Sequence, residues 1–536
     1  MCSNLKFSDF LMFPGPSLNI IRTGMKGLQS DIKTKPSLID WAAPLALGVI
    51  SLAIRLSLVS KGYYQTDCLF LGIQAQKILD TGHMHYLHLL GYPGTALLGA
   101  LFLGINSILN FNQPALSINL IGVLFSSLSL IPLYFIIKKL FDPLTAFLTT
   151  ALVMIHPSFL AASVFGNSHM PGLFFFFVSM LNIIRFREQN SLRHLVTGAL
   201  CAGLMWANRP QEIIHLITIG YLFLGPLNGP FKTRSSLKAF LGFGTIAFIT
   251  TLVFYIPLIL RTFSANNFTH QINEPLSIVR FVTGNLSLYA LSVTTPAIIK
   301  SFTLGGAILL AAGLFLMIKH TWKLFIFLLF WLIPPLLLYA SLVTTLPRYH
   351  LNIIIPLCIA LGYGLSWFIH HKRHAFILAG IIYGILISIL FTSIYPILNF
   401  RHQHDLMKEY GAWIRKNTEP SAIIYTQEDA WIIKHFAGRL TKRPPFQEFS
   451  QNKNALPEEH LIKMTQESLS STLRSGIPVY VTSVALFSND PHYRFKTLLE
   501  EHFALKPIAQ TVMEEWHQGA TNLILYKETL YKIAPR

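Results

Sequence analysis

Twelve stretches of this chain are apolar for long enough to cross a bilayer, and no soluble fold buries that many. Spanning takes about 17 to 25 predominantly apolar residues. Such runs begin near Asp40, Tyr92, Pro114, Pro143, Met170, His194, Gln211, Lys238, Pro296, Trp322, His350 and His374. Only 12% of the residues are charged and 52% are hydrophobic, against roughly 25% charged in an ordinary soluble domain. The expected fold class is therefore an α-helical polytopic membrane protein.

The formal charge of +18 is unevenly spread. Residues 399–536 hold 17 basic and 15 acidic side chains, whereas residues 1–398 hold 25 and 9. The excess sits in short clusters between apolar runs: Lys138-Lys139, then Arg185, Arg187 and Arg193, then Lys232, Arg234 and Lys238, then Lys319 and Lys323, then Lys372-Arg373. Cytoplasmic anchors have this pattern. No basic region carries the interleaved aromatics of a nucleic-acid groove, so nucleic acid is excluded as a partner.

Placing every cluster on one side fixes the parity of the spans. With twelve spans the rule fails, and removing one between residues 61 and 137 restores it. The run Tyr92–Asn110, opening in Gly-Tyr-Pro-Gly, is the one to remove, lying along or dipping into the outer face. Eleven spans follow, with a cytoplasmic N-terminal segment (1–38) and a membrane domain (39–398) that has a large first outer loop (61–113). Residues 399–536 are then a non-cytoplasmic soluble α/β domain. Within it Lys408–Lys416 and Pro457–Leu473 read as helices, and Ala422–Tyr425, Pro478–Val481 and Asn522–Leu525 as strands. The expected location is the inner or plasma membrane. The first span serves as its own insertion signal, since no cleavable leader pattern precedes it. Cys2, Cys68, Cys201 and Cys358 are scattered and imply no disulfide framework.

Ionisable groups at a membrane surface are costly, so each marks a candidate site. On this topology only Asp67, Asp80, Glu212 and Glu274 among the first 398 residues' acids face outward. Asp67 precedes an amphipathic run and reads either as a catalytic base or as a helix N-cap. Asp80 reads as a helix-end residue, with Gly82 as the C-cap. Arg209 and Arg348 stand where the charge rule disfavours arginine. A phosphate suits a guanidinium fork, although Glu212 offers Arg209 an ion pair one turn away. His83, His85 and His88 match no zinc spacing. Trp413, Trp431 and Trp516 read as core residues.

Several pieces together resemble one family. Asp67 in the first loop is followed by Gln74-Ala75-Gln76-Lys77-Ile78-Leu79, Thr81-Gly82 and Gly91-Tyr92-Pro93. Downstream come Lys138-Lys139-Leu140-Phe141, His156-Pro157, Asn208-Arg209-Pro210-Gln211 and Arg348-Tyr349 with Pro356. Over residues 40 to 400 this order is similar to GT-C superfamily membrane glycosyltransferases, akin to bacterial protein O-mannosyltransferases and the aminoarabinose transferase acting on lipid A. The resemblance implies transfer of a sugar from a polyprenyl-phosphate donor to a lipid, glycan or protein acceptor on the non-cytoplasmic face. It implies Asp67 as general base and Arg209, Arg348 and Tyr349 at the donor phosphate. Tyr64, His83, His85, Tyr92, Asn167, His169, Glu212 and His350 are the substrate-pocket candidates. This chain has Asp67-Cys68 where the family often has Asp-Glu, and Asn167-Ser168-His169 where many relatives carry an acid. No cofactor is required on this reading, and those departures weaken the case for a divalent metal. The rival readings are a transporter or lipid flippase, for which repeated halves and mid-span charges are missing, and a non-catalytic membrane scaffold.

Overall fold

The computed structural model describes residues 38–85, 91–225, 233–262, 288–340, 347–371, 375–427, 429–445, 458–487, 492–514, 521 and 523–536. The expectations for residues 1–37, Cys2, His88, Glu274 and Trp516 lie outside the described residues.

Proline sets the start of many helices, because its fixed φ suits the first helical position and its missing N–H costs nothing there. The early helices are α1 (Leu38–Leu56), α2 (Thr66–Thr81), α3 (Pro93–Ile108), α4 (Pro114–Leu140), α5 (Pro143–Ile155), α6 (Pro157–Ser163), α7 (His169–Gln189) and α8 (Leu192–Asn208). Asp142 caps α5 by accepting the Thr145 N–H at 2.9 Å. His156 caps α6 through Nδ1, at 3.3 Å from the Ser158 N–H, which gives the His-Pro motif a structural role. Gly82 ends α2 in the left-handed region (φ 66°) and donates to Ile78, as its sequence position suggests.

The later helices are α9 (Leu216–Leu224), α10 (Thr233–Thr262), α11 (Leu288–Lys300), α12 (Thr303–His320), α13 (Trp322–Ala340), α14 (Leu351–His371), α15 (Ala375–Ile389) and α16 (Tyr395–Gln403). Arg209 caps the start of the short 3-10 turn Pro210–His215, and Arg348 lies within a second one, Pro347–His350. Among the described residues six helices are long and apolar enough to span a membrane, and a seventh counts if α5 and α6, bent by 60°, form one span. Four shorter apolar helices accompany them, including Pro93–Ile108 from the run set aside in the parity argument. Length and apolarity therefore give a multi-pass membrane protein, and the described residues do not fix the number of spans at eleven.

The C-terminal part holds α17 (Leu406–Asn417), β1 (Ile423–Tyr425), β2 (Leu440–Lys442), α18 (Glu458–Arg474), β3 (Val479–Thr482), α19 (Arg494–His502), β4 (Phe503–Glu514) and β5 (Leu525–Pro535). The sheet order is β2-β1-β3-β5-β4, with β1 parallel to β2 and β3, and β5 antiparallel to β3 and β4. Of the expected strand Asn522–Leu525, Asn522 lies outside the described residues and Leu525 is the first residue of β5, where pairing with β4 begins. Trp431 is 38% exposed and packs edge-on against Phe70 of α2, so it joins the C-terminal part to that helix and is not the core residue expected.

Candidate active site

Two loops must be brought together before any site can form, and α4 does this with a single amide. Asn119, fully buried in α4, donates from Nδ2 to the Ser60 carbonyl (2.8 Å) and the Gly62 carbonyl (2.9 Å). Its Oδ1 accepts from the Gly166 N–H (2.9 Å) and the Cys68 thiol (3.1 Å). The loop before α2 is thereby tied to the loop before α7. Close contact also requires glycine here. A Cβ at Gly122 would stand 2.2 Å from the Phe165 carbonyl oxygen, and one at Gly166 would stand 2.4 Å from Ile118. An asparagine inside an apolar span is itself a signal, but ionisable groups alone do not reveal it.

The two loops, the start of α3, Arg209 and the turn Pro347–His350 line a cavity of about 230 Å³. Asp67, Tyr92, Asn167, His169, Arg209, Arg348 and Tyr349, all expected in the site, line it. Gln65, Leu71, Thr95 and Ser168 line it as well and carry no charge to betray them. Asp67 sits in the first turn of α2 while Gln65 holds the N-cap position, so the capping alternative for Asp67 does not hold. Its carboxylate instead meets Arg348 Nη2 at 3.2 Å, across 281 residues of sequence. The Asp67 side chain remains 37% exposed and that of Arg348 10%. Arg348 Nη2 also donates to the Tyr349 hydroxyl (3.4 Å), while its buried Nε has no hydrogen-bond partner among the described residues.

Arg209 forms the second cationic wall. Its Nε lies 2.9 Å from Glu212 Oε1, and its two terminal nitrogens donate to Ser168 and Tyr339, each at 3.3 Å. The guanidinium lies 5.6 Å from the centre of the Tyr349 ring. Asn167 holds the start of α7, accepting the His169 and Met170 N–H groups at 3.0 and 3.2 Å. Tyr92 occupies the left-handed region (φ 46°), a strained conformation for a non-glycine residue. Its hydroxyl accepts a hydrogen bond from Gln211, which holds the ring at the cavity.

Five expected pocket residues do not line the cavity, for definite reasons. Tyr64 lies beneath the Arg401 guanidinium, 3.8 Å from its carbon. Arg401 in turn binds Glu514 Oε1 at 2.6 Å, and burial pushes the Glu514 carboxyl up while Arg401 opposes the shift. His83 and His85 lie beyond the left-handed turn at Gly82, which carries the chain off the end of α2; His83 lines a separate, mainly apolar cavity with Leu97, Phe254 and Pro257. Glu212 turns away behind Arg209 to receive His215 and Asn352. His350, 3% exposed, is packed at the start of α14. The pairing of Lys139 with Glu188 at 2.6 Å gives the Lys-Lys motif a partner away from this site. Among the described residues no three His, Cys, Asp or Glu side chains are grouped to hold a metal ion.

Comparison with known proteins gives a consistent pattern. The family model described as dolichyl-phosphate-mannose-protein mannosyltransferase matches residues 95–256, under a third of the chain. No curated protein matches the chain in sequence. ArnT from Cupriavidus metallidurans, solved bound to undecaprenyl phosphate, is similar with a TM-score of 0.57 at 11% identity, over 92% of this chain and 98% of that one. The archaeal oligosaccharyltransferase AglB from Archaeoglobus fulgidus, in complex with an inhibitory peptide and a dolichol-phosphate, gives 0.50 at 13% identity, over 88% and 74%. The arabinofuranosyltransferase AftD from Mycobacteria gives 0.50 at 12% identity, over 92% of this chain and 40% of that one.

Proposed function

We propose, for a chain that has the GT-C glycosyltransferase fold, that it transfers one sugar from a polyprenyl-phosphate donor to a hydroxyl acceptor at the non-cytoplasmic face of the cell membrane. The observation that carries this reading is the meeting of Asp67 with Arg348 in a cavity also lined by Arg209 and Tyr349. A carboxylate and two guanidinium groups lining one cavity suit a reaction that removes a proton from one group and releases a phosphate from another.

The acceptor hydroxyl oxygen attacks the anomeric carbon while Asp67 takes its proton. A new carbon–oxygen bond forms as the bond to the phosphate oxygen breaks, and the phosphate leaves with the electron pair. Arg348, Arg209 and the Tyr349 hydroxyl stabilise that oxygen as its charge develops. Before the donor binds, Asp67 and Arg348 neutralise one another; a phosphate engaging Arg348 competes for the cation and leaves Asp67 available as a base. A single displacement inverts the anomeric centre, and retained configuration in the product would overturn this mechanism.

The cavity, about 230 Å³, is below the roughly 300–1,000 Å³ usual for drug-sized ligands. That size favours one sugar unit over a preassembled oligosaccharide. The acceptor is a lipid, a glycan or a protein reached from the exposed side of Asp67. In this reading residues 39–398 form the membrane domain and residues 399–536 a domain on the same side as the cavity.

The test is the intact mass of surface glycolipids and secreted glycoproteins from cells carrying the wild type, Asp67→Asn at matched abundance, or a deletion. Loss of one fixed sugar mass in both altered strains is the expected result. No loss in the deletion strain would remove the transferase reading in favour of a transporter or scaffold. Loss in the deletion strain alone would move the base away from Asp67.

A further inference from the structure

Gln65 occupies the N-cap position of α2, where its carbonyl accepts the Leu69 N–H at 3.0 Å but its side chain does none of the work of a cap. Ser, Thr, Asp and Asn are preferred there because their short side chains reach the free N–H groups of the first turn. The Gln65 backbone is extended (φ −136°, ψ 155°), and its side chain makes no capping hydrogen bond. Gln65 instead lines the cavity while only 3% exposed, and among the described residues its buried Oε1 has no hydrogen-bond partner. Such an acceptor is costly to leave unmet.

The surroundings restrict what can meet it. Gln65 and the Asp67 carboxylate bring acceptor oxygens to the cavity, whereas Arg209 and Arg348 bring donors. Phosphate oxygens, themselves acceptors, belong with the arginines and cannot satisfy Gln65 Oε1. A hydroxyl can donate to it. Asp67 is 37% exposed and stands at the open side where an acceptor arrives; Gln65 is enclosed, beside the group held inside.

We infer that Gln65 accepts a hydrogen bond from a hydroxyl of the transferred sugar and thereby helps to select it. This specificity role rests on the transferase reading above.

The experiment uses the full chain in lipid nanodiscs, with synthetic undecaprenyl-phosphate hexoses, their singly deoxygenated forms, and undecaprenyl phosphate itself. The wild type should reject the donor lacking one particular hydroxyl by about ten- to a hundredfold in kcat/KM. Gln65→Met should slow the parent donor by a similar factor, no longer separate it from that deoxy donor, and bind undecaprenyl phosphate as the wild type does. A Met variant that still separates the two donors like the wild type, or that slows every donor equally, overturns the inference. Should Gln65→Met fail to bind undecaprenyl phosphate, Gln65→Asn decides: with its amide one methylene shorter it should lose the same discrimination, and keeping it overturns the inference. A wild type that transfers no donor of the panel, together with a deletion strain that loses no sugar, refutes the transferase reading and takes this inference with it.

Discussion

Two arginine–carboxylate pairs border the cavity, and they are built differently. Arg209 and Glu212 are three residues apart, with side chains 5% and 4% exposed. Glu212 is fully engaged: Asn352 donates to it at 2.7 Å, His215 Nε2 lies 2.9 Å away, and the Tyr339 hydroxyl is at 3.5 Å. Arg348 and Asp67 are 281 residues apart in sequence, meet at 3.2 Å, and leave Asp67 37% exposed. The first pair holds a cation in a fixed direction. The second can be opened by a substrate, which is what a general base requires.

The largest expected effect separates the two carboxylates by activity. Asp67→Asn should lower the transfer rate by about 10²- to 10⁴-fold, the usual contribution of a positioned base, with the unfolding temperature in detergent unchanged. Glu212→Gln should do the reverse in kind. It leaves Arg209 charged in a buried place with its anion gone, a change that typically costs about 3–5 kcal/mol. Thermal unfolding and membrane abundance measure it. Equal loss of stability in both variants would erase the distinction drawn here.

Glu528 sharpens the comparison by having burial without a cation. It is fully buried, accepts hydrogen bonds from the Ser483 hydroxyl (2.7 Å) and the Val484 N–H (3.3 Å), and forms no ion pair among the described residues. Burial pushes its carboxyl up from 4.5 to about 7, with those hydrogen bonds opposing the shift. In the unfolded chain the group ionises near pH 4.5, while in the folded chain it keeps its proton to about pH 7. The folded state therefore binds more protons in between, and stability falls as pH rises from about 4.5 to 7 and levels off above. Glu528→Gln should remove that slope, gaining at most about 3 kcal/mol at pH 8. Unfolding midpoints of the two proteins across this range are the check, and parallel curves would contradict it.

What the sequence reveals follows the same division between charge and contact. Pro93, Pro114 and Pro143 mark helix starts because proline acts locally. Asp67, Arg209 and Arg348 are legible because a charge is conspicuous between apolar runs. The Arg209–Glu212 pair is also readable, since both lie on one turn. The partner of Arg348 is not, because 281 residues separate it from Asp67. Gln65, Thr95 and Ser168 escape notice as neutral residues whose importance comes only from the cavity they line. Histidines 83 and 85 attract attention for the opposite reason: they are chemically suggestive, but a glycine turn carries them elsewhere. The sheet order mixes parallel and antiparallel neighbours that only tertiary pairing fixes.

The smallest effect tests what kind of cation the open pair needs. Lysine at position 348 keeps the charge and can still neutralise Asp67 as a single point. It loses the planar fork, and with it the geometry by which Nη2 serves Asp67 and Tyr349 while Nε stays available for a phosphate oxygen. Arg348→Lys should therefore weaken donor binding by about tenfold, roughly the worth of one charge-assisted hydrogen bond, and should show mainly as a raised KM for the donor. Arg348→Met removes the charge as well and should lower kcat too, since nothing then meets the developing phosphate charge from that wall. A lysine variant indistinguishable from the wild type would mean that Arg348 acts on Asp67 alone, and would leave the phosphate to Arg209 and Tyr349.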